Sequence, residues 1–365
     1  MKSLNYYIKN IIFAPIMFSL GIFYREKKIT MKKEKIEKIL LICLSGIGNY
    51  IMATPVIEPL KKQCPNAKLD LLVRSKVIAD LASKDPNINE IFCIKKEDWL
   101  SLLKVLRRKQ YDISLSLFPS GIIEGFFSRI IRPKYSLGHS YKIGFRTNKI
   151  FYDKAVMLHH EHDTESNLRL LTLLDIDGGG GKQKIYWNEE DEKNSNLFFR
   201  KIKEKKIIGM HPGSNPSQKW KRWPVEYYRK LIILLKKKYN VEILIFLGPD
   251  ELELERGIID GKIVKNKEIG LTCSIIEKCN LFISNDSSLL HIANAVEIPA
   301  IGIFGPTDKI RTSPVGKRGY VVSVQNNRLK YDISKPFTKE KEAIVLLRRI
   351  TPSRIMKTIE KNNLL

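Results

Sequence analysis

The chain is short of acid. It carries 39 Asp and Glu against 64 Lys and Arg, a formal net charge of +25 over 365 residues. Such a balance favours nucleic acid, anionic lipid or acidic small molecules as partners, although a compositional bias towards Lys, Ile and Asn would give the same number. There is no zinc-finger spacing and no clustered basic–aromatic face, so nucleic acid is the weakest of the three. Cysteines are few: Cys43, Cys64, Cys93, Cys273 and Cys279 are an odd number without metal spacing, and read as reduced core residues of a cytosolic protein. No apolar run reaches the about 20 residues a membrane-spanning helix needs, and no small-x-small cleavage site marks a signal peptide. With 43% apolar and 28% charged residues the composition is globular, and the length suits two α/β domains.

The most apolar stretch is residues 4–24, uninterrupted from Ile11 to Tyr24 and followed by Arg25, Lys27, Lys28, Lys32, Lys33 and Lys35. Two readings stay open. One is a helix lying on an anionic membrane with the basic run on lipid headgroups; the other is a helix packed on its own protein or on a second subunit.

From Lys38 the chain alternates strands and helices. Apolar runs at 39–44, 69–73, 91–94 and 111–117 are separated by helix-like segments, which predicts a parallel, doubly wound sheet. Gly178–Gly181 reads as a flexible linker, and the rhythm restarts at Lys206. The expected organisation is a segment 1–35, a first Rossmann-like domain 36–177, a linker 178–184, a second Rossmann-like domain 185–350 and a final helix 351–365.

Chemistry-bearing residues gather where predicted strands end. Ser45-Gly46-Ile47-Gly48-Asn49 follows the first strand, but the third glycine of a dinucleotide fingerprint is missing, so a sugar or lipid headgroup is preferred there. His159 to Glu165 holds three histidines and three carboxylates in seven residues. The spacing is not H-E-x-x-H, so acid–base or ligand contact is favoured over a metal, with a solvated loop as the alternative. In the second half His211-Pro212-Gly213-Ser214 ends a strand, with Lys219, Lys221 and Arg222 in the same loop. Small residues followed by cations suit a phosphate. Gly248-Pro249-Asp250-Glu251 ends the next strand, where a carboxylate can accept ribose hydroxyls. Residues 281–308 predict a strand, a turn at Ser284–Ser288, a helix carrying Leu289, Leu290 and Ile292, and a second strand. That turn combines a strand end with a helix amino end, a setting that favours an anion; a capped helix with no ligand is the alternative.

These motifs, with Lys221-Arg222-Trp223-Pro224, Asn285 to His291 and Phe304-Gly305-Pro306-Thr307-Asp308, appear in an order that resembles glycosyltransferase family 9, the ADP-heptose:lipopolysaccharide heptosyltransferases. The resemblance runs from about Ile39 to Leu365. It implies a GT-B fold, two Rossmann-like domains facing a cleft, and inverting, metal-independent transfer without a cofactor. A nucleotide diphosphate sugar, ADP-linked, is the implied donor, and a lipopolysaccharide or related glycolipid the acceptor. The implied place is the cytoplasm, on the anionic inner face of the cytoplasmic membrane. Carried over by motif, Asp286, Ser287, Ser288, Leu289 and His291 contact the donor diphosphate and sugar, Ser214 and Lys221 hold phosphate, and Glu251 the ribose. Gly46, Gly48 and Asn49 face the acceptor, and the final helix crosses back to the first domain.

One position departs from the family, which has Asp where this chain has Asn49 and uses it as the catalytic base. An amide can orient a hydroxyl but cannot accept its proton. Asp112, Glu161 and His162 are the alternative bases; otherwise catalysis rests on positioning and leaving-group stabilisation, or activity is lost. The alternatives to heptosyl transfer are a related transferase using another nucleotide sugar for capsule or glycoprotein glycans, and a catalytically silent sugar-nucleotide or glycolipid binder.

Overall fold

The structure, a computed structural model, describes residues 27–95, 97–117, 122–143, 146–179, 181–200, 202, 205–257, 260–265, 267–324 and 340–365. The apolar stretch 4–24 lies outside them. No helix among the described residues is long and apolar enough to cross a membrane.

Each half is built on a six-stranded parallel sheet. The first contains β1 (Lys38–Cys43), β2 (Lys68–Val73), β3 (Ile88–Cys93), β4 (Ile113–Ser116), β5 (Tyr135–Ser140) and β6 (Lys154–Met157), in the order β3-β2-β1-β4-β5-β6. The second contains β7 (Lys206–His211), β8 (Val241–Leu247), β9 (Lys262–Lys265), β10 (Leu281–Asn285), β11 (Ala300–Phe304) and β12 (Gly319–Ser323), in the order β9-β8-β7-β10-β11-β12. The strand order is thus the same in both. In each sheet it reverses beside the first strand, between β1 and β4 and between β7 and β10, where open α/β sheets bind ligands. The inner strands are buried on both faces, as the apolar sequence of β1 (KILLIC) requires of a parallel sheet covered by helices. The doubly wound, two-sheet expectation is met.

Helix α1 (Ile47–Ala53) begins inside the glycine loop, so Gly48 and Asn49 occupy its first turn. Pro55 cannot donate a helical hydrogen bond, and the predicted helix over 51–63 is broken at Thr54–Val56 before α2 (Ile57–Gln63). Further helices are α3 (Lys76–Ala82), α4 (Ile122–Ile131), α5 (Asp163–Arg169), α6 (Val225–Lys238), α7 (Ser288–Ala295) and α8 (Pro352–Lys361).

One apolar cluster runs through both halves, from Leu41 and Ile51 to Phe282, Leu290 and Ile292, with α1 and α7 between the sheets. The end of the glycine run is packed against the first half. Gly181 lies where a side chain would meet the Pro55 carbonyl at 2.5 Å, and the Lys184 N–H donates to the Thr54 hydroxyl at 3.0 Å. The final helix also departs from expectation. Its apolar residues Ile355, Met356 and Ile359 join Trp223, Leu231 and Leu235 in the core of the second half, so α8 completes that half instead of crossing to the first.

Candidate active site

The second half supplies one wall of a cleft through the loops after β7, β8 and β10. Strand β7 ends at His211, whose imidazole links two of these loops. Its Nε2–H donates to the Glu251 carboxylate at 3.0 Å, and its Nδ1 accepts the Ser287 hydroxyl at 2.7 Å. The Gly248 N–H donates to the same Glu251 oxygen at 2.8 Å. Burial pushes the Glu251 carboxyl up, but His211 and the Gly248 amide hold it below its ordinary value. Position 213 has to be glycine, because a Cβ there would sit 2.0 Å from a Glu251 carboxylate oxygen.

Asn285 at the end of β10 is fully buried, and all its hydrogen-bonding capacity goes to the site's framework. Its amide donates to the carbonyls of Pro212 (2.8 Å) and Gly213 (3.0 Å). Its carbonyl accepts from the Trp223 N–H and the Tyr228 hydroxyl, both at 3.0 Å. One side chain therefore fixes the His211 loop against the Lys221 loop. Ser214 is held within its own loop, donating to the Gln218 carbonyl at 2.9 Å and accepting from Arg222 at 3.2 Å.

The next residue carries the charge. Asp286 is buried, with Lys221 Nζ 3.0 Å from its carboxylate. Burial pushes the carboxyl up; Lys221, His291 and the Thr307 hydroxyl outweigh it, so the group sits below the usual carboxylate range. His291, one turn into α7, is held down to about 4 by burial, against the pull of Asp286. It is a neutral imidazole at physiological pH, and its Nδ1 has no hydrogen-bond partner. Ser287 is the N-cap of α7 but makes no side-chain cap bond, its hydroxyl being engaged by His211. The amino end of α7 thus opens on the cleft with uncapped backbone N–H groups, an anion-favouring arrangement.

The opposite wall comes from the first half: Ser45 to Asn49, Arg74 and Lys76 after β2, Lys84, and Glu124 in the first turn of α4. The cleft between the walls holds about 1260 Å³. The halves are fastened to each other where the start of α5 meets residues 311–313. Arg311 donates twice to Asp163, at 2.6 and 2.9 Å, and burial still pushes that carboxyl up to about 6. His162 Nε2–H donates to the Ser313 carbonyl at 2.8 Å.

The family model described as glycosyltransferase family 9 (heptosyltransferase) matches residues 99–341. The chain belongs to glycosyltransferase family 9. Lipopolysaccharide heptosyltransferase 3 of Escherichia coli K12 is 28% identical over 293 residues, covering 73% of this chain and 82% of that protein. Lipooligosaccharide heptosyltransferase 2 of Campylobacter jejuni (strain 81116) is 28% identical over 289 residues, 76% of this chain and 84% of that one. Among solved structures, the family 9 glycosyl transferase from Veillonella parvula superposes with a TM-score of 0.72 at 19% identity, covering 91% of this chain and 98% of that one. The E. coli heptosyltransferase WaaC with ADP gives a TM-score of 0.66 at 18% identity, covering 89% and 98%. These likenesses show the GT-B fold. The protein is a family 9 glycosyltransferase.

Within this family 9 fold, Gly46, Gly48, Asn49, Ser214, Lys221, Glu251, Asp286, Ser287, Ser288, Leu289 and His291 all line the cleft. The three alternative bases do not. Asp112 precedes β4 at the amino end of the sheet, a strand's length, roughly 15 Å at about 3.3 Å per residue, from the edge where the cleft lies. There it accepts the N–H groups of Glu37 (2.8 Å) and Lys38 (3.0 Å) and pairs with Lys134 at 2.6 Å. Glu161 accepts the Ser166 hydroxyl at 2.7 Å and pairs with Arg169. His162 has both ring nitrogens committed, Nδ1 accepting the Thr164 N–H at 3.1 Å while Nε2–H meets Ser313. It caps α5 and joins the halves. No motif in the sequence marks Asn285 as a framework residue, or Arg74, Lys76 and Glu124 as lining. The signal for Arg74 and Lys76 was their place just after a strand.

Proposed function

We propose that the chain moves a sugar from a nucleoside diphosphate to a hydroxyl of a lipid-linked glycan, with heptose from ADP-heptose and a lipopolysaccharide core as the pair its relatives suggest. The observation that carries this reading is Lys221 beside Asp286 at the amino end of α7, facing the Asn49 turn across the cleft. The donor diphosphate lies against Lys221 and the uncapped α7 amides, which take up the charge that develops as it departs. His211 and Glu251 stiffen that wall. Residues 185–350 are the donor domain and 36–177 the acceptor domain. Arg74, Lys76 and Lys84 give the acceptor wall the positive potential an acidic glycolipid needs, and the excess of basic residues suits work at the anionic inner face of the cytoplasmic membrane.

Asn49 favours one other reading, a silent binder of the same ligands. Incubation with ADP-heptose and a heptose-deficient lipopolysaccharide, with released ADP as the readout, separates the two. Acceptor-dependent ADP release supports the transferase; binding of ADP-heptose with no release supports the binder.

A further inference from the structure

Transfer to a hydroxyl needs a proton acceptor, and Asn49 cannot be one. The described carboxylates on the first half's wall of the cleft are Asp80 and Glu124. Asp80 is exposed on α3, in the crossover from β2 to β3. Glu124 is only 6% exposed and stands in the first turn of α4, which follows β4. Because β4 pairs with β1, helix α4, with Glu124 in its first turn, and helix α1, with Asn49 in its first turn, follow neighbouring parallel strands where the strand order reverses. Glu124 is also within electrostatic reach of the Cys43 thiol at the end of β1 and of the Tyr141 hydroxyl after β5. It is therefore a buried carboxylate lining the same cleft as Asn49, on the helix that follows the adjacent strand. The second half has its counterpart, with His211 and Asp286 leaving neighbouring strands β7 and β10 at the facing reversal point.

We propose that Glu124 is the general base of the transfer, with Asn49 holding the acceptor hydroxyl towards it. As the acceptor oxygen bonds to the anomeric carbon, its proton passes to the Glu124 carboxylate. The bond from that carbon to the diphosphate oxygen breaks, and its electron pair leaves with the diphosphate towards Lys221 and the α7 amides. The acid is thereby moved from α1, the helix after β1, to α4, the helix after β4, one strand away.

This inference rests on the transferase reading, and the test separates the two. The full chain, its Glu124→Gln variant and the Glu124→Gln, Asn49→Asp double variant are assayed with ADP-heptose and heptose-deficient lipopolysaccharide. ADP affinity of each is followed by calorimetry. Glu124→Gln is expected to lower kcat by at least about a hundredfold, the usual contribution of a general base, and to flatten the acidic limb of the pH–rate profile. ADP affinity should not change, and Asn49→Asp should restore at least about a tenth of the lost rate, since it returns a carboxylate to the same hydroxyl. Wild-type kcat in Glu124→Gln overturns the base assignment while leaving the transferase intact. A fall in kcat that Asn49→Asp does not repair overturns it equally. A wild-type chain that neither turns over nor binds ADP overturns the transferase reading and this inference with it.

Discussion

Gly48 and His291 come from opposite halves of the protein, and the Cα of one faces the imidazole of the other. A Cβ on residue 48 would lie 2.7 Å from His291 Cδ2 and 3.6 Å from the Ser288 backbone. The glycine sits in the first turn of α1 with no unusual backbone angle, so its lack of a side chain serves the close approach of α1 to α7. That approach brings the Asn49 turn over the amino end of α7.

Gly48→Ala is accordingly expected to destabilise the protein by about 1–3 kcal/mol, the usual cost of forcing a methyl into a packed site, and to lower turnover by shifting the two walls. Gly46→Ala is the control. Nothing lies within 4 Å of its added Cβ and its φ of −80° suits any residue, so its effect should be confined to the poorer N-cap that Ala makes, about 1 kcal/mol or less and without a shift of the walls. Thermal melting of the two variants checks both.

Asn285→Ala removes four buried hydrogen bonds at once, leaving the Pro212 and Gly213 carbonyls, the Trp223 N–H and the Tyr228 hydroxyl without that partner. An unsatisfied buried group costs about 1–3 kcal/mol, so a loss of at least about 3 kcal/mol is expected in urea unfolding. The loop holding Lys221 also loses its brace, so ADP affinity should fall although Asn285 touches no ligand.

How much of this was visible in sequence follows from what periodicity can report. The strand–turn–helix at Phe282–Ile292 was legible because apolar spacing changes from continuous to helical across Asp286, and the His211 and Glu251 loops for the same reason. Periodicity does not say which end of a strand faces a ligand. Asp112 opens β4 rather than closing it, so it falls at the wrong edge of the sheet. Nor does a polar run show its partners: His162 and Asp163 look like chemistry in a window of seven residues, but they are satisfied by Ser313 and Arg311 about 150 positions later. Gly48 lines the cleft as its glycine loop suggests, but its second role, admitting His291 from the other half, is invisible in a local window.

Acid should weaken the fold before it protonates the site's carboxylates. Burial holds His139 and His291 down to about 4, below their ordinary 6.5. Between about pH 4 and 6.5 the unfolded chain binds protons these two do not, so stability rises with pH across that window and is lost on acidification. Asp163 acts the other way. Its carboxyl, pushed up to about 6 from 3.8, lets the folded state keep a proton the unfolded chain has released, which offsets part of the loss. Burial also lowers His162 and raises Asp85, so three imidazoles that lose stability on acidification stand against two carboxyls that gain it, and a net decrease is expected. Guanidinium unfolding should give a lower midpoint at pH 5 than at pH 7.5, and His291→Asn should shrink the difference; equal midpoints for the wild type would refute the assignment.

Donor binding hinges on Lys221 and the amino end of α7 holding a diphosphate on the second half's wall. Calorimetric titration of ADP into the wild type and into Lys221→Ala tests it directly. The expected result is saturable binding to the wild type and an affinity at least about tenfold weaker in the variant, the loss of one charge-assisted contact. Equal affinities in the two proteins, or a wild type that does not bind ADP, would contradict it.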